Sequence, residues 1–200
     1  MPHSTTARNN MLGAIGVTHA SVHSGFPGAT GLNEISGGSP AYARKAVSFA
    51  AAAAASRAQS GTAVFDIPAG TTVRYFGFWD ALTAGNFLGY HPIGGAGFVA
   101  REFIVDAAAD LIRSPAHGYA NGDTIVFVGD AAPGGLVEGT VYFVVSAATD
   151  TIQVAAISGG AAIDLTSQAG NACQMIKMIA EVFASQGTAT LSGAALSLLL

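Results

Sequence analysis

Charged side chains are scarce in this chain. Only 8 Lys and Arg and 12 Asp and Glu occur among 200 residues, 10% where an ordinary soluble domain carries about 25%. A monomer relies on surface charge to stay dispersed, and contact surfaces between proteins are depleted in it. Much of the exterior is therefore expected to be covered by other subunits. The eight cations are scattered and the formal net charge is −4, which argues against a nucleic-acid groove, since that needs a Lys/Arg stripe to neutralise phosphates. Cys173 is the only cysteine, so neither an intrachain disulfide framework nor a multi-cysteine zinc site is possible. A free, packed thiol is expected, in keeping with synthesis in a reducing cytoplasm. No run of about 18 apolar residues is present, so no transmembrane span is expected. Met1-Pro2-His3-Ser4-Thr5-Thr6 lacks a cationic region followed by an apolar run, and no signal peptide is read there. Leu196-Ser197-Leu198-Leu199-Leu200 is too short for a bilayer anchor and reads as a buried final strand.

Half of the residues are apolar and 26 are glycine. Their arrangement is that of short strands separated by turn chemistry. Between 117 and 165, four runs mix β-branched, aromatic and apolar residues, with Gly, Asn, Asp or Pro between them: 117–127, 139–145, 149–154 and 160–165. Such spacing indicates a small all-β unit. Upstream, 45–50 and 62–67 alternate apolar and polar residues. Pro68-Ala69-Gly70 is expected to turn the chain, 72–80 reads as one long strand with large residues on both faces, and 86–90 as another. Residues 4–18 predict a helix of about two to three turns, capped by Ser4, Thr5 or Thr6 and weakened by Gly13 and Gly16. Residues 20–23 read as a strand, 25–40 as a Gly/Pro-rich loop, and Ala50–Ala55 with Ser56–Gly61 as a strand end followed by a loop.

The pattern changes after Gly94-Gly95-Ala96-Gly97, where Phe103-Ile104-Val105 opens a new set of strands that runs to about Met178. Residues 1–98 lack a closing strand pair, and 179–200 are too few to fold alone. The expected fold is all-β: a β-sandwich with a short N-terminal helix, built from 1–98 plus 179–200, interrupted by an inserted small β-barrel over 101–178. Insertions are accepted at hairpin tips whose ends lie close together.

Three stretches carry a resemblance: Asn33 to Val47 (NEISGGSPAYARKAV), Phe65 to Val73 (FDIPAGTTV) and Phe76-Gly77-Phe78-Trp79-Asp80. With Phe183-Ala184-Ser185-Gln186-Gly187-Thr188, they are similar to a group of tailed-phage virion proteins described as minor tail or tail-fibre-like. The segment 101–178 resembles a separable phage module likened to the small β-barrel insert of ubiquitin-activating enzymes. The resemblance implies a structural component of a tailed-phage virion, tail- or fibre-associated, whose partners are other virion proteins and copies of itself. It brings no catalytic residues and no cofactor. In the insert, Val126, Phe127, Tyr142, Phe143, Ile152 and Val154 would be core residues.

The residues themselves nominate no chemistry. His19 and His23 are four apart, a spacing that suits a metal on a helix, but no third ligand lies nearby except the distant Glu34, and a hydrogen-bonded or solvated pair is the expectation. His117 precedes Gly118 in a turn. Cys173 has no His or Asn companion in the sequence. Asp123 and Asp150 occupy favourable turn positions, and the Asp-x-Asp-x-Asp pattern of a calcium loop is absent. No pair of carboxylates is nominated for glycoside hydrolysis, and 94–97 lacks the G-x-G-x-x-G spacing of a phosphate loop. No enzyme and no metal are expected. The aromatic run leaves one candidate surface, Tyr75, Phe78, Trp79 and Tyr90, suited to a neighbouring protein or to a saccharide ring. Alternatives to the structural role are a host-receptor glycan-binding module and a capsid decoration protein.

Overall fold

The computed structural model describes residues 3–94 and 101–197. The remainder of the Gly-rich stretch 94–97 and Leu198 to Leu200 of the expected final strand lie outside the described residues. One helix, α1 (Thr5–Ala14), opens the chain. It is followed by β1 (His19–His23), β2 (Lys45–Ala46), β3 (Ser48–Phe49), β4 (Ser56–Ser60), β5 (Thr62–Ile67), β6 (Thr71–Val73), β7 (Tyr75–Trp79) and β8 (Phe87–Pro92). Then come β9 (Ile104–Asp106), β10 (Leu111–Arg113), β11 (Thr124–Val128), β12 (Tyr142–Val145), β13 (Thr151–Ala155) and β14 (Gln174–Lys177). The chain closes with β15 (Glu181–Phe183), β16 (Gly187–Ser192) and β17 (Ala195–Ser197). The protein is all-β with one short helix. It divides into two compact units, Met1–His91 with Ala180–Leu200, and Pro92–Ile179.

Helix α1 starts where the Ser4 hydroxyl accepts the Ala7 N–H at 3.2 Å, satisfying one of the orphan donors of the first turn. It ends at Ala14, short of the expected 18, between two glycines that carry little helix propensity. Arg57 on β4 donates to the carbonyls of Leu12 and Ile15 at 3.1 and 3.2 Å, so the helix C-terminus is capped by a cation from a neighbouring strand. Leu12 is fully buried.

In the first unit a four-stranded sheet runs β2-β1-β7-β8. Alternation along β1 and β7 sorts the side chains. Ala20 and Val22 face Phe78 and Phe76 on one side, while Ser21 and His23 lie with Tyr75, Gly77 and Trp79 on the other. The Phe side packs on Phe65 of β5 and Phe49 of β3, with ring centroids 6.0 and 6.2 Å apart, giving the sandwich its core. Each such buried ring contributes about 1.5–3 kcal/mol by leaving water.

The opposing layer differs from the expected one. Pro68-Ala69-Gly70 is a turn as expected, with Gly70 at a φ of 72°, but the strands it joins do not pair with each other. β5 pairs with β16 from Thr62↔Ser192 to Ile67↔Gly187, and β6 with β15 from Thr71↔Phe183 to Val73↔Glu181. The same number of residues separates the two ladders on each strand, so 62–73 and 181–192 form one long antiparallel ribbon in a single register, kinked in the middle. Odd-numbered residues (Ala63, Phe65, Ile67, Ala189, Leu191) are buried, and even-numbered ones (Val64, Thr188, Thr190) are exposed. The long strand expected over 72–80 is split at Arg74, whose N–H donates to the His23 carbonyl; its halves join different sheets. Residues 45–50 give two strands of two residues each. Ser56–Ser60, expected as loop, is a strand between β17 and β3. Gln59 holds it to the C-terminal segment through the Leu191 carbonyl and the Ala194 N–H.

The second unit is a six-stranded antiparallel sheet, β14-β11-β12-β13-β10-β9, wrapped around Ile112, Ile125, Phe127, Tyr142, Val144, Ile152, Val154 and Met175. Of the expected core residues, Phe127, Tyr142, Ile152 and Val154 belong to this cluster. Phe143 is half-buried, and Val126 is buried outside the cluster. The run 160–165 is not a strand. It is pinned instead by single bonds, Ile163 N–H to the Val154 carbonyl and Leu165 N–H to the Asp110 carboxylate.

Because β5 and β6 take their partners from 181–197, and β4 one of its two, a chain ending at Ile179 is expected to leave the first unit unfolded. Far-UV circular dichroism should show strand signal only from the second unit, and emission from Trp79 should be that of a solvated indole. A native-like Trp79 spectrum in the truncated chain would contradict this.

Candidate functional site

The aromatic strand β7 is the place where the first unit concentrates its polar and aromatic contacts. Tyr75, Phe78 and Trp79, expected as a surface, are 0%, 6% and 6% exposed, and Tyr90 is half-buried. The expectation is corrected for the first three: both faces of β7 are covered within the chain. Phe78 enters the sandwich core. Tyr75, Trp79 and Tyr90 face a cover formed by residues 24–44.

That cover is built from backbone and small residues. It leaves β1 at Ser24 and returns at Glu34, where Ser24 N–H donates to the Asn33 carbonyl and Ile35 N–H to the Val22 carbonyl. Gly31 lies directly on the rings of Trp79 and Phe87, so close that a Cβ there would run into both. It also has a φ of 77°, open to glycine and strained for other residues. Phe26 meets Tyr75 and Tyr90 edge-on or tilted, with centroids 5.9 and 5.1 Å away.

A charged clamp closes the cover. Arg44 binds Glu34 through two nitrogens, the shortest contact being 2.8 Å. It donates as well to the carbonyls of Ala81 and Ala84, and its guanidinium lies 3.4 Å from the centroid of the Trp79 ring. The Tyr42 hydroxyl donates to Glu34 and accepts the Val22 N–H at 2.8 Å; burial pushes its pKa above the ordinary tyrosine range. Planar stacking combined with bidentate pairing is a task for arginine and not for lysine.

Beneath the cover, Ser21 and His23 are both 0% exposed. The His23 Nδ1 lies 2.7 Å from the Leu32 carbonyl. A carbonyl only accepts, so Nδ1 carries the hydrogen and Nε2 is bare. Ser21 Oγ, 2.6 Å from Nε2, therefore donates to it, and it accepts the Trp79 indole N–H at 2.8 Å. Every polar hydrogen in the chain Trp79–Ser21–His23–Leu32 has one acceptor. A serine next to a histidine Nε2 is the arrangement of a nucleophile and its base, but here both are sealed from solvent and the third position is a backbone carbonyl. Gly77 lies against them, and a Cβ on it would meet His23 Nε2, Ser21 Oγ and Phe87. In the sequence the only trace of this network is the polar Ser21 and His23 that alternate with Ala20 and Val22 along β1.

The remaining candidates have structural partners. His19 sits at the far end of β1, on a strand and not on a helix, with Nδ1 2.8 Å from the Thr18 hydroxyl. His117 is buried, stacked on Tyr119, and its Nδ1 accepts the Tyr119 N–H. Burial pushes the Tyr119 hydroxyl up to about 12. Cys173 is a buried free thiol, pushed up to about 11 by burial and by Glu138 and Asp130, far from the thiolate a nucleophile needs. Asp123 accepts the Ala120 N–H within its own turn, and Asp150 accepts the N–H of Ala116 from another loop. Among the described residues no group of three or more His, Cys, Asp or Glu is placed to hold a metal, and no helix is long and apolar enough to cross a membrane.

The Ser21–His23 network is thus sealed inside the β-framework of the first unit. Residues 4–101 match the family model described as podophage GP4 fiber I protein gp80. The match covers just under half of the chain and includes helix α1, the cover and the aromatic strand. Over residues 4–101 the chain is thus similar to a tailed-phage, tail-fibre-like protein family, and that family is one of virion components with a structural role in the tail or fibre. No curated protein and no solved structure matches it.

Gly77→Ala is expected to cost about 1–3 kcal/mol through overpacking against the Ser21–His23 pair. Urea unfolding followed by Trp79 emission, the only tryptophan, measures it. A change below about 0.5 kcal/mol would mean that the close approach is not a constraint.

Proposed function

We propose that this protein is held in the fibre by contacts between uncharged β surfaces, with copies of itself and with other virion proteins. The observation that carries this reading is the outer face of the ribbon formed by 62–73 and 181–192. Thr62, Val64, Thr188, Thr190 and Ser192 are exposed along it, and Val182 is 73% exposed. Its acidic member among the β5–β16 pairs, Asp66, is bound by Lys45 at 3.3 Å. At about 3.3 Å per residue the ribbon is roughly 40 Å long, and hydroxyls both donate and accept, so such a face suits another protein surface without burying a lone charge. Apolar area removed from water there contributes about 25 cal/mol per Å². No catalytic role is assigned.

We read the second unit as an inserted module of barrel type. The Ile179 N–H donates to the Ile93 carbonyl at 2.6 Å, so its two ends are adjacent, and Arg101, just before β9, exchanges both backbone hydrogen bonds with Met175 on β14, bringing the edges of the sheet towards each other. A second function, recognition of a host surface glycan, is favoured by one feature of this unit. An open depression of about 490 Å³ is lined by Phe103, Pro115, Glu102, Arg113 and Asp150, which combines an apolar floor with donors and acceptors.

Val64→Lys with Thr190→Lys places two cations opposite each other on the ribbon. The wild type is expected to self-associate in light scattering after size exclusion, and the double variant to be a folded smaller species. A wild type that stays monomeric at high concentration, also in the presence of the neighbouring virion proteins, would refute the assembly reading. Glycan-array binding abolished by Arg113→Ala would favour the second function. Replacing 92–179 by a short Gly/Ser linker is expected to leave the first unit cooperative and Trp79 buried; loss of both would show that the second unit is not separable.

A further inference from the structure

The hydrogen-bond chain under the cover is complete only with a neutral His23, and it is the cover's own Leu32 carbonyl that ends it. We infer that Ser24–Asn33 is a proton-operated flap: protonation of His23 at Nε2 lifts it from Trp79 and Phe87 while the strands beneath stay paired.

The geometry supplies the coupling. A proton on Nε2 turns that nitrogen from acceptor into donor. Ser21 Oγ already receives the Trp79 N–H, so on receiving the Nε2–H as well it keeps its own hydrogen with no acceptor in a fully buried site. Either the Ser21–His23 contact breaks or the ring moves, and the ring is attached to the flap through Nδ1–H and Leu32 at 2.7 Å.

The charged and titratable groups around His23 can be named element by element. The cover contributes Glu34, which favours the cation, and Arg44 and Tyr42, which reach it through Glu34. Arg74 holds the start of the flap through the Ser24 carbonyl at 2.7 Å. From β7 and β8 come Tyr75, Gly77, Trp79 and Phe87, none ionised near neutrality. Burial dominates and lowers the His23 pKa below 6.5; the Leu32 bond and Glu34 oppose it, and Arg44 adds to it.

The sign follows. A histidine depressed in the closed state binds fewer protons there than in the open state, so closure is fully favoured above 6.5 and is lost as the pH falls below it towards the depressed value.

The test uses the full chain and its single tryptophan. As pH falls below 6.5, Trp79 emission is expected to shift to the red and acrylamide quenching to increase several-fold, with the far-UV circular dichroism unchanged. His23→Gln keeps one donor and one acceptor without titrating, and is expected to abolish the transition. Should that variant fail to fold, ¹⁵N spectra of the wild-type ring decide: Nδ1–H at neutral pH, with Nε2 protonation tracking the Trp79 change. The inference is overturned if His23 protonates without any change at Trp79, if the transition persists in a folded His23→Gln, or if the strand signal is lost in the same pH step.

Discussion

Strand β7 carries large rings to both sides of its sheet, and each side has to be kept from water. On one side the solution is ordinary: Phe76 and Phe78 meet Phe65 and Phe49 across the sandwich. On the other side a Gly/Pro-rich loop does the covering. Loops carry backbone polar groups that a dry interface does not satisfy. That is why hydrogen-bonding partners are supplied from both sides: Ser21 and His23 from β1 beneath the cover, Asn33 inside it, and Tyr42, Glu34 and Arg44 at its edge. Glycine at 31 and at 77 removes the side chains that would hold loop and sheet apart. The polar network is therefore a consequence of burying an aromatic strand under irregular backbone.

The other layer depends on strands far apart in the sequence. Residues 62–73 find their partner at 181–192, a pairing whose closure entropy grows with the logarithm of the intervening length and whose low locality slows folding. The backbone bond between Ile93 and Ile179 bears directly on this. Once the second unit has folded, the chain between β8 and β15 is already shortened to a pair of adjacent ends. The long ribbon then forms as though its strands were near neighbours.

Much of this was legible in the residues, unevenly. Thr62-Ala63-Val64-Phe65-Asp66-Ile67 alternates and became a strand with that alternation inside and outside. Strands β11, β12 and β13 were legible for the same reason. Ser56-Arg57-Ala58-Gln59-Ser60 was not, because it is held by polar side chains reaching backbone atoms, Arg57 to the helix end and Gln59 to the C-terminal strands, and apolar periodicity cannot reveal that. Ile163 and Leu165 misled in the opposite direction: their apolar character reflects burial at the side of the second core, reached by irregular chain. For the site, the aromatic run was legible but its exposure was not. Alternation predicts an outer face wherever nothing in the sequence declares a cover. The declaring residues, Glu34, Tyr42 and Arg44, are polar members of a loop and read as solvated until they are seen closing on Trp79.

Most of the cations are engaged by partners within the chain, even where they lie at its surface. Arg44, Lys45, Arg113 and Lys177 are in ion pairs with Glu34, Asp66, Asp106 and Asp123, Arg57 caps the helix, and Arg74 holds the Ser24 carbonyl. A protein selected to remain dispersed places charge on its exposed strand faces, which also discourages edge-to-edge association. Here the exposed ribbon carries threonine, serine and valine, and its one acid among the β5–β16 pairs is neutralised from β2. Contacts made by such a face gain from dehydration and hydroxyl pairing and pay no penalty for burying an unpaired ion. On the proposed assembly reading, many modest contacts of this kind would suffice, since each would be made at the high effective concentration set by the others.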